Sequence, residues 1–193
     1  MTFEEIKNEL KYNTVGIAGA GGLGSNCAVA LARSGLGKII IADFDVVSKS
    51  NLNRQYYFYD QIGQIKVFAL KDNIEKINPN VQVEVHKIKI NEDNASIIFA
   101  NCDVIVEAFD NAEAKQMLIE TILSEFPDKQ IISGIGMAGF GNNNSIKSRQ
   151  IDNLYICGDE KSEVSKENPP LAPRVGIVAS MQANLVLEIL LKD

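Results

Sequence analysis

The sequence predicts an α/β protein with a Rossmann-like, doubly wound and mostly parallel sheet, extended by a C-terminal hairpin and closed by a last helix. Two observations carry this prediction. Short apolar segments alternate with segments of helical periodicity, and the first apolar segment leads into a glycine-rich turn. With 193 residues, 46% of them hydrophobic, the chain is long enough for one well-buried core and short for two. We therefore expect residues 1–193 to form a single domain.

Strand and helix segments follow one another regularly over the first two thirds of the chain. Apolar residues at helical spacing or an Ala-rich composition indicate the helices, and short runs that are mostly apolar indicate the strands. The predicted elements are helices around 3–10 and over 25–34, 61–77 and 112–126, and strands over 15–18, 38–42, 81–85, 104–108 and 130–134. Such units build a parallel sheet with right-handed crossovers, and ligands bind beyond the carboxyl ends of its strands.

The last third of the chain changes character. A flexible polar stretch over 136–144 precedes two segments, 145–151 and 153–157, that indicate a hairpin extending the sheet. A charged loop over 158–171 then leads to a closing helix over 173–191. Because the apolar residues of this helix are too numerous for a free surface helix, we expect it to pack on the sheet or on a second subunit. They include Val178, Met181, Leu185, Leu187 and Leu190.

Composition excludes several function classes. The net charge of −6 and the lack of a Lys/Arg cluster argue against nucleic-acid or anionic-membrane partners. The three cysteines have no C-x-x-C spacing, so we expect neither disulfides nor zinc and infer a reducing, cytoplasmic location. The charged residues of the first eleven positions are incompatible with a signal peptide, and no apolar run has the length of a membrane span.

The glycine turn and the acid that follows it are the first candidate site. The segment from Gly19 to Gly24 has G-x-G-x-x-G spacing, which lets backbone N–H groups at a helix N-terminus approach a phosphate. Asp43, nineteen residues after Gly24, stands where a dinucleotide-binding fold places its ribose-binding acid. Either feature alone is also explained by a turn. The candidate nucleotide-binding glycines are Gly19, Gly21, Gly22 and Gly24.

The residues after Asp43 direct the prediction toward ATP and away from a dehydrogenase. The run from Asp43 to Gln55 contains Asn51 and Arg54, which are phosphate-seeking side chains. Asn51 either contacts a phosphate or only fixes its loop. A nicotinamide-dependent oxidoreductase is the weakest alternative, since Arg54 and Lys66 would then be idle.

Three separated segments resemble a known family. The glycine turn with the run over 43–55, the segment 62–66 (Ile-Gly-Gln-Ile-Lys) and the segment 108–111 (Ala-Phe-Asp-Asn) occur in the order and spacing of one pattern. This pattern is similar to the ThiF/MoeB/ubiquitin-activating enzyme family of ATP-dependent carrier-protein adenylyltransferases. The resemblance spans roughly residues 15–191. The short chain and its Ala-Pro-Arg-Val-Gly-Ile-Val-Ala segment most resemble the compact members that act on the sulfur carrier ThiS.

The resemblance implies an activity and a set of roles. A ThiS-like, ubiquitin-fold carrier would be adenylated at its C-terminal glycine carboxylate, in thiamine biosynthesis, by a homodimeric enzyme that uses ATP and Mg²⁺. Because that carboxylate is already an anion, the site must supply positioning and positive charge rather than a general base. Arg54 and Lys66 suit the phosphates, Asp110 suits Mg²⁺, and Asp43 suits the ribose hydroxyls.

Two other interpretations stay open, and the sequence departs from the family in two ways. The carrier could instead be of the molybdopterin-synthase small-subunit type, or the chain could be a nucleotide-binding regulatory module without turnover. The paired C-x-x-C motifs of larger relatives are missing, and the first twelve residues contain no arginine that could reach across a dimer. Arg149 and Arg174 are the candidates for that role. Cys157 lies near the position of a carrier-accepting cysteine in some relatives, but we expect it to be inert.

Overall fold

The computed structural model describes residues 1–192, and its seven strands form one sheet. The strands are β1 (Thr14–Ala18), β2 (Lys38–Ala42), β3 (Gln82–His86), β4 (Val104–Glu107), β5 (Gln130–Gly134), β6 (Lys147–Ile151) and β7 (Leu154–Gly158). Their order is β3-β2-β1-β4-β5-β7-β6, and every pairing is parallel except that of β6 with β7. The predicted fold class and the hairpin are confirmed.

The centre of the sheet explains the apolar character of its strands. In β1, Ile17 pairs with Ile41 of β2 on one side and with Val106 of β4 on the other. All three are fully buried because helices cover both faces of the sheet. The chain leaves β1 toward β2 and later returns on the opposite side of β1 as β4. The carboxyl ends of these strands therefore form a topological switch point, where open α/β sheets bind ligands.

Six α-helices surround the sheet in the described part of the chain. They are α1 (Phe3–Leu10), α2 (Gly22–Ser34), α3 (Lys66–Ile77), α4 (Glu92–Phe99), α5 (Ala112–Glu125) and α6 (Ala172–Leu190). Helices α2, α3 and α6 pack on one face, and α4 and α5 pack on the other. The closing helix α6 contributes Val178 and Leu185 to the core, with Met181 partly buried against it. Residues 1–192 include no helix with the length and apolar character that crossing a membrane requires.

The helices of the structure differ from the predicted ones in three places. The helix predicted over 61–77 begins only at Lys66, because Gly63 adopts a left-handed φ of 88° that interrupts helical geometry. Helix α2 begins at Gly22, three residues before the predicted start, since the glycine turn leads directly into it. Helix α4 was not predicted. Its signal is the reciprocal capping of Asn91 and Asn94, but the helix buries only Ala95 and Phe99 and thus shows little apolar periodicity.

Candidate active site

A cavity of about 900 Å³ opens at the carboxyl ends of β1, β2 and β4. This volume is within the range of sites for small-molecule ligands. Most of the predicted site residues line it, namely Gly19, Gly21, Gly22, Asp43, Arg54, Lys66 and Asp110. Asn51 and Gly24 do not line it.

The glycine turn at one wall of the cavity requires glycine for two different reasons. Gly19 has a left-handed φ of 99°, and a Cβ there would lie only 3.0 Å from the backbone oxygen of Ala108. A Cβ on Gly24 would collide with the backbone oxygen of Gly19, so glycine at this position allows α2 to pack closely on the turn. Gly21 caps α2 without a side-chain hydrogen bond. The first-turn N–H groups of α2 can therefore bind a phosphate.

Asp43 connects the glycine turn to the loop after β2. One carboxylate oxygen accepts the N–H of Ala20, and the other accepts the N–H of Asp45, each at 2.7 Å. Asp43 thus fixes a turn, as the alternative interpretation held. Each oxygen still has a free lone pair, so the carboxylate, which lines the cavity, can also accept a ribose hydroxyl.

The loop that carries Arg54 is tied to α2 and to the last third of the chain. Asn51 Oδ1 accepts the N–H of Ser48 at 2.9 Å, which supports the loop-fixing interpretation of Asn51. The Arg54 guanidinium donates through Nη1 to Asn53 Oδ1 at 2.8 Å, and Asn53 donates to the backbone oxygen of Pro170 at 3.1 Å. Arg54 Nε and Nη2 make no hydrogen bond within residues 1–192, so they can bind phosphate oxygens in the cavity.

Lys66, the first residue of α3, is only 5% exposed. Its Nζ lies 2.8 Å from Asp45 Oδ2, and its backbone N–H donates to the backbone carbonyl oxygen of Asp45 at 2.9 Å. Asp45 therefore holds the buried ammonium in place at the edge of the cavity. A bound phosphate can share this charge with Asp45 or replace Asp45 as its partner.

Asp110 is exposed where the chain enters α5 and lines the cavity between Phe109 and Asn111. Its carboxylate has no ion pair or hydrogen bond to any described residue. Nor do residues 1–192 contain a cluster of three or more acids, histidines or cysteines that could hold a metal alone. Mg²⁺ usually takes one or two protein carboxylates together with phosphate oxygens and water. Asp110 fits that mode of binding. The expectation that the protein binds no zinc remains a prediction.

Part of the cavity lining is apolar and comes from the last third of the chain. It includes Met137, Val164, Pro170 and Val175. Arg174 at the start of α6 stabilises these segments, since its guanidinium lies 2.6 Å from Asp159 Oδ2 and also donates to the Gly141 backbone oxygen. The side chains of Arg174 and Asp159 are only 4% and 11% exposed. Arg174 is thus engaged within its own chain.

Arg149 and Cys157, the other two residues considered for a role, lie in different environments. Arg149 pairs with Glu160 on the surface, at 2.6 Å between Nη2 and Oε2. Cys157 is completely buried, and burial raises the pKa of its thiol to about 12. A thiol with this pKa contains almost no thiolate at neutral pH and is a poor nucleophile.

Sequence reasoning missed three residues of this site. Asp45 was not identified as the partner of Lys66, although it lies in the quoted run. Tyr57 is buried and donates to the Ala20 oxygen at 2.7 Å, while burial and the nearby acids Asp43 and Asp45 raise the pKa of its hydroxyl, which stays protonated. Gln55 lines the cavity at 8% exposure, with its Oε1 buried and unpaired in the described range. Its position next to Arg54 in the sequence was the signal that could have identified Gln55 as a residue of the site.

Comparison with known proteins connects this geometry to a family. The model of the ThiF family matches residues 2–193. The chain is 33% identical to the adenylyltransferase and sulfurtransferase MOCS3 of Caenorhabditis briggsae, over 96% of this chain and 48% of that protein. It is 30% identical to a probable molybdopterin-synthase adenylyltransferase of Porphyra purpurea, over 97% of this chain and 50% of that protein. The chain thus spans about half the length of these relatives.

Solved structures show the same fold. E. coli tRNA N6-threonylcarbamoyladenosine dehydratase TcdA, in complex with AMP, superposes with a TM-score of 0.88 at 19% identity, over 96% of this chain and 89% of that chain. E. coli MccB with ATP superposes with a TM-score of 0.73 at 23% identity, over 96% of this chain and 57% of that chain. At such identities the likeness concerns the fold.

Proposed function

Since the chain belongs to the ThiF family, we propose that it is an ATP-dependent adenylyltransferase that activates the C-terminal carboxylate of a small carrier protein. One observation carries this proposal. A single cavity at the switch point joins the glycine turn, Asp43, Arg54, Lys66 and Asp110. The relatives named adenylyltransferases support the same activity.

The proposed reaction needs positive charge more than proton transfer. The carrier carboxylate attacks the α-phosphorus of ATP, a carboxyl–phosphate bond forms, and the bond from that phosphorus to pyrophosphate breaks. Because both reactants are anions, Arg54 and Lys66 accelerate the step by neutralising phosphate charge. A charge pair about 4 Å apart at an effective dielectric near 20 contributes roughly 4 kcal/mol before desolvation. The N-terminus of α2 and Asp43 orient the nucleotide.

Asp110 is the residue that we assign to Mg²⁺. When bound, this ion would add positive charge to the phosphates and favour departure of pyrophosphate. The carboxylate is free among residues 1–192, and it lies beside Asn111, whose side chain caps α5 by accepting the Ala114 N–H at 2.9 Å. Asp110 therefore directly precedes the capped start of α5, which limits the backbone positions open to it.

We propose a ThiS-like sulfur carrier of ubiquitin fold as the substrate, in thiamine biosynthesis. The apolar lining from the last third of the chain, with Met137, Pro170 and Val175, suits an extended carrier tail of small residues. A carrier of the molybdopterin-synthase small-subunit type is the second candidate. It is favoured by the similarity to the molybdopterin-synthase adenylyltransferase of Porphyra purpurea.

We further propose that residues 1–193 act as a single ATP-binding domain in a cytoplasmic homodimer. Four apolar side chains between positions 58 and 68 support self-association because they are exposed on one short stretch of the chain. They are Phe58, Tyr59, Ile62 and Phe68. A solution mass near that of one chain, 21.1 kDa, would reject the dimer.

Carrier-dependent exchange of labelled pyrophosphate into ATP tests the proposed function. Candidate carriers that end in Gly-Gly should support exchange in Mg²⁺, and the ThiS-like carrier should give the largest kcat/KM. The same carriers without the terminal glycine are the matched controls and should give none. Protein that binds ATP but exchanges pyrophosphate with no carrier would favour the nucleotide-binding regulatory module.

A further inference from the structure

Glu107 is a completely buried carboxylate three residues before Asp110. It ends β4, and its two oxygens accept four hydrogen bonds. The Phe109 N–H donates at 2.6 Å, the Ser133 hydroxyl donates at 2.6 Å, and Lys115 Nζ donates to both oxygens at 2.8 and 3.1 Å.

Lys115 and Gln182 connect Glu107 to the surrounding elements. Lys115 lies in the second turn of α5, and its Nζ also donates to the Gly134 oxygen at 3.0 Å. Gln182 of α6 donates to the Glu107 backbone oxygen at 3.1 Å. We call Glu107, Lys115, Ser133 and Gln182 the Glu107 cluster. It joins β4, β5, α5 and α6 at the carboxyl end of the sheet.

The contacts of the Glu107 cluster fix both sides of Asp110. On one side, Glu107 holds the Phe109 N–H. On the other side, Lys115 ties α5 to β4, and α5 begins at the residue after its cap, Asn111. Asp110 lies between these two anchors, although its own carboxylate makes no bond within the described chain. Its position is therefore set by its neighbours.

A buried ion pair is not explained by its contribution to the stability of the fold alone. Taking two charges out of water costs free energy, and apolar residues of similar volume often stabilise a fold as well or better. The Glu107–Lys115 pair satisfies its hydrogen bonds fully and defines one geometry for the loop. Its place directly before the cavity residue Asp110 connects this geometry to the site.

We propose that Glu107 and Lys115 are positioning residues that hold the Asp110 carboxylate at the place where a nucleotide-bound divalent cation meets it. This inference rests on the proposed function, because it takes Asp110 as the cation ligand. Partners that orient a metal ligand typically change metal affinity by about 10- to 100-fold when they are removed. Glu107 and Lys115 would act in this way without touching the cation.

The test measures Mn²⁺ binding to the protein with α,β-methylene-ATP, by electron paramagnetic resonance, in the absence of any carrier. Lys115→Met should raise the Mn²⁺ dissociation constant about tenfold. Affinity for the nucleotide without metal should stay within about twofold, since Lys115 is not among the residues lining the cavity. Lys115→Arg, which keeps the charge and the donors, should restore most of the Mn²⁺ affinity.

Lys129 provides the matched control. It is also a half-buried lysine, and its Nζ donates to the carbonyls of Phe99, Ala100 and Cys102 at 3.1, 2.7 and 2.7 Å, at the opposite end of β5. Lys129→Met should lower stability without changing Mn²⁺ binding. Ser133→Ala is a milder second variant, which removes one hydrogen bond to Glu107 and should weaken Mn²⁺ binding by a smaller factor than Lys115→Met.

Three results would overturn the inference. The first is that Lys115→Met and Ser133→Ala bind Mn²⁺ as tightly as the unmodified protein does. The second is that Lys129→Met loses as much Mn²⁺ affinity as Lys115→Met, and the third is that the unmodified protein binds no Mn²⁺ beside the nucleotide. The assay contains no carrier and no turnover. Protein that binds Mn²⁺ through this loop but never exchanges pyrophosphate would therefore contradict the proposed function and leave this inference standing.

Discussion

The phosphate end of the cavity and its apolar lining are held in place in different ways. The phosphate end consists of charged and glycine residues close to strand ends, and its acids bond directly to other groups of the site, as Asp43 does with Asp45 and Asp45 with Lys66. An apolar part of the lining comes from the last third of the chain and includes Met137, Val164, Pro170 and Val175. Their arrangement depends on the Arg174–Asp159 pair, which is buried away from the cavity lining.

This difference predicts two kinds of failure. A substitution at the phosphate end removes charge from a preorganised site, so it should reduce turnover more than stability. A substitution in the Arg174–Asp159 pair leaves a buried charge without its partner, so it should reduce stability and carrier use while sparing nucleotide binding. The predictions below separate the two cases.

Arg174→Met should have the largest effect and should lower the free energy of unfolding by about 3–5 kcal/mol, because it leaves the buried Asp159 carboxylate unpaired. Well below the melting midpoint of the variant, affinity for ATP should change little. Urea unfolding and nucleotide titration measure the two quantities.

Arg149→Met is the matched control for Arg174→Met. Its pair with Glu160 lies on the surface, with side chains 47% and 38% exposed, so its loss should change the urea midpoint far less. Equal destabilisation by the two variants, or loss of ATP binding in Arg174→Met, would contradict the separate roles of the Arg174–Asp159 pair and the phosphate end.

Substitutions at the phosphate end should act on turnover. Arg54→Ala, Lys66→Ala and Asp110→Ala should each reduce carrier-dependent pyrophosphate exchange by about a hundredfold or more, the scale of removing one charge-stabilising group. Lys49→Ala, which removes an exposed cation from the same loop, should leave exchange unchanged. Three variants as active as the unmodified protein would mean that these side chains do not act on the phosphates.

Nucleotide choice should give a smaller effect, measured as a shift in melting temperature. ATP with Mg²⁺ at about 100 times its dissociation constant should stabilise the fold by roughly 2.7 kcal/mol through mass action. NAD and NADP should stabilise it less, because they lack the γ-phosphate that Arg54 and Lys66 can bind. Equal or greater stabilisation by NAD would contradict the assignment of the phosphate end.

Substitution of Cys157 should have the smallest effect, because we expect it to leave adenylate formation unchanged. Burial raises the pKa of its thiol to about 12, so the thiol stays protonated from pH 7 to 9 and gains reactivity only as the pH rises toward that value. Native protein at pH 8 should resist iodoacetamide, and Cys157→Ser should still form adenylate. A reducible carrier–enzyme adduct that is lost in Cys157→Ser but kept in Cys27→Ser and Cys102→Ser would show that the thiol is reactive.

The sequence was most informative where structure is local. The predicted strand segments matched six of the seven strands to within one residue at each end. The spacing from the glycine turn to Asp43 also correctly indicated that the cavity lies at the carboxyl ends of the strands. The helix α4 escaped prediction because a short helix with two buried residues has no clear period. Within the site, Asn51 and Gly24 have contacts inside their own turns, and their predicted nucleotide-binding roles stay predictions.

Long-range pairs escaped prediction for a different reason. Glu107 meets Ser133 across β4 and β5, and Arg174 meets Asp159 across a loop. Each of these side chains is unremarkable in its own segment, and only the packing of distant elements makes it a partner. Periodicity and motif spacing contain no information about such pairs.

The most direct test of the central claim is the formation of a carrier acyl-adenylate. The protein is incubated with ATP, Mg²⁺ and a ThiS-like carrier that ends in Gly-Gly, and the carrier is then measured by intact mass. We predict a carrier species heavier by one adenylyl group, formed with release of pyrophosphate and missing when Lys66→Ala replaces the unmodified protein. Nucleotide-bound protein that yields no adenylate with this or any other Gly-Gly carrier would contradict the account.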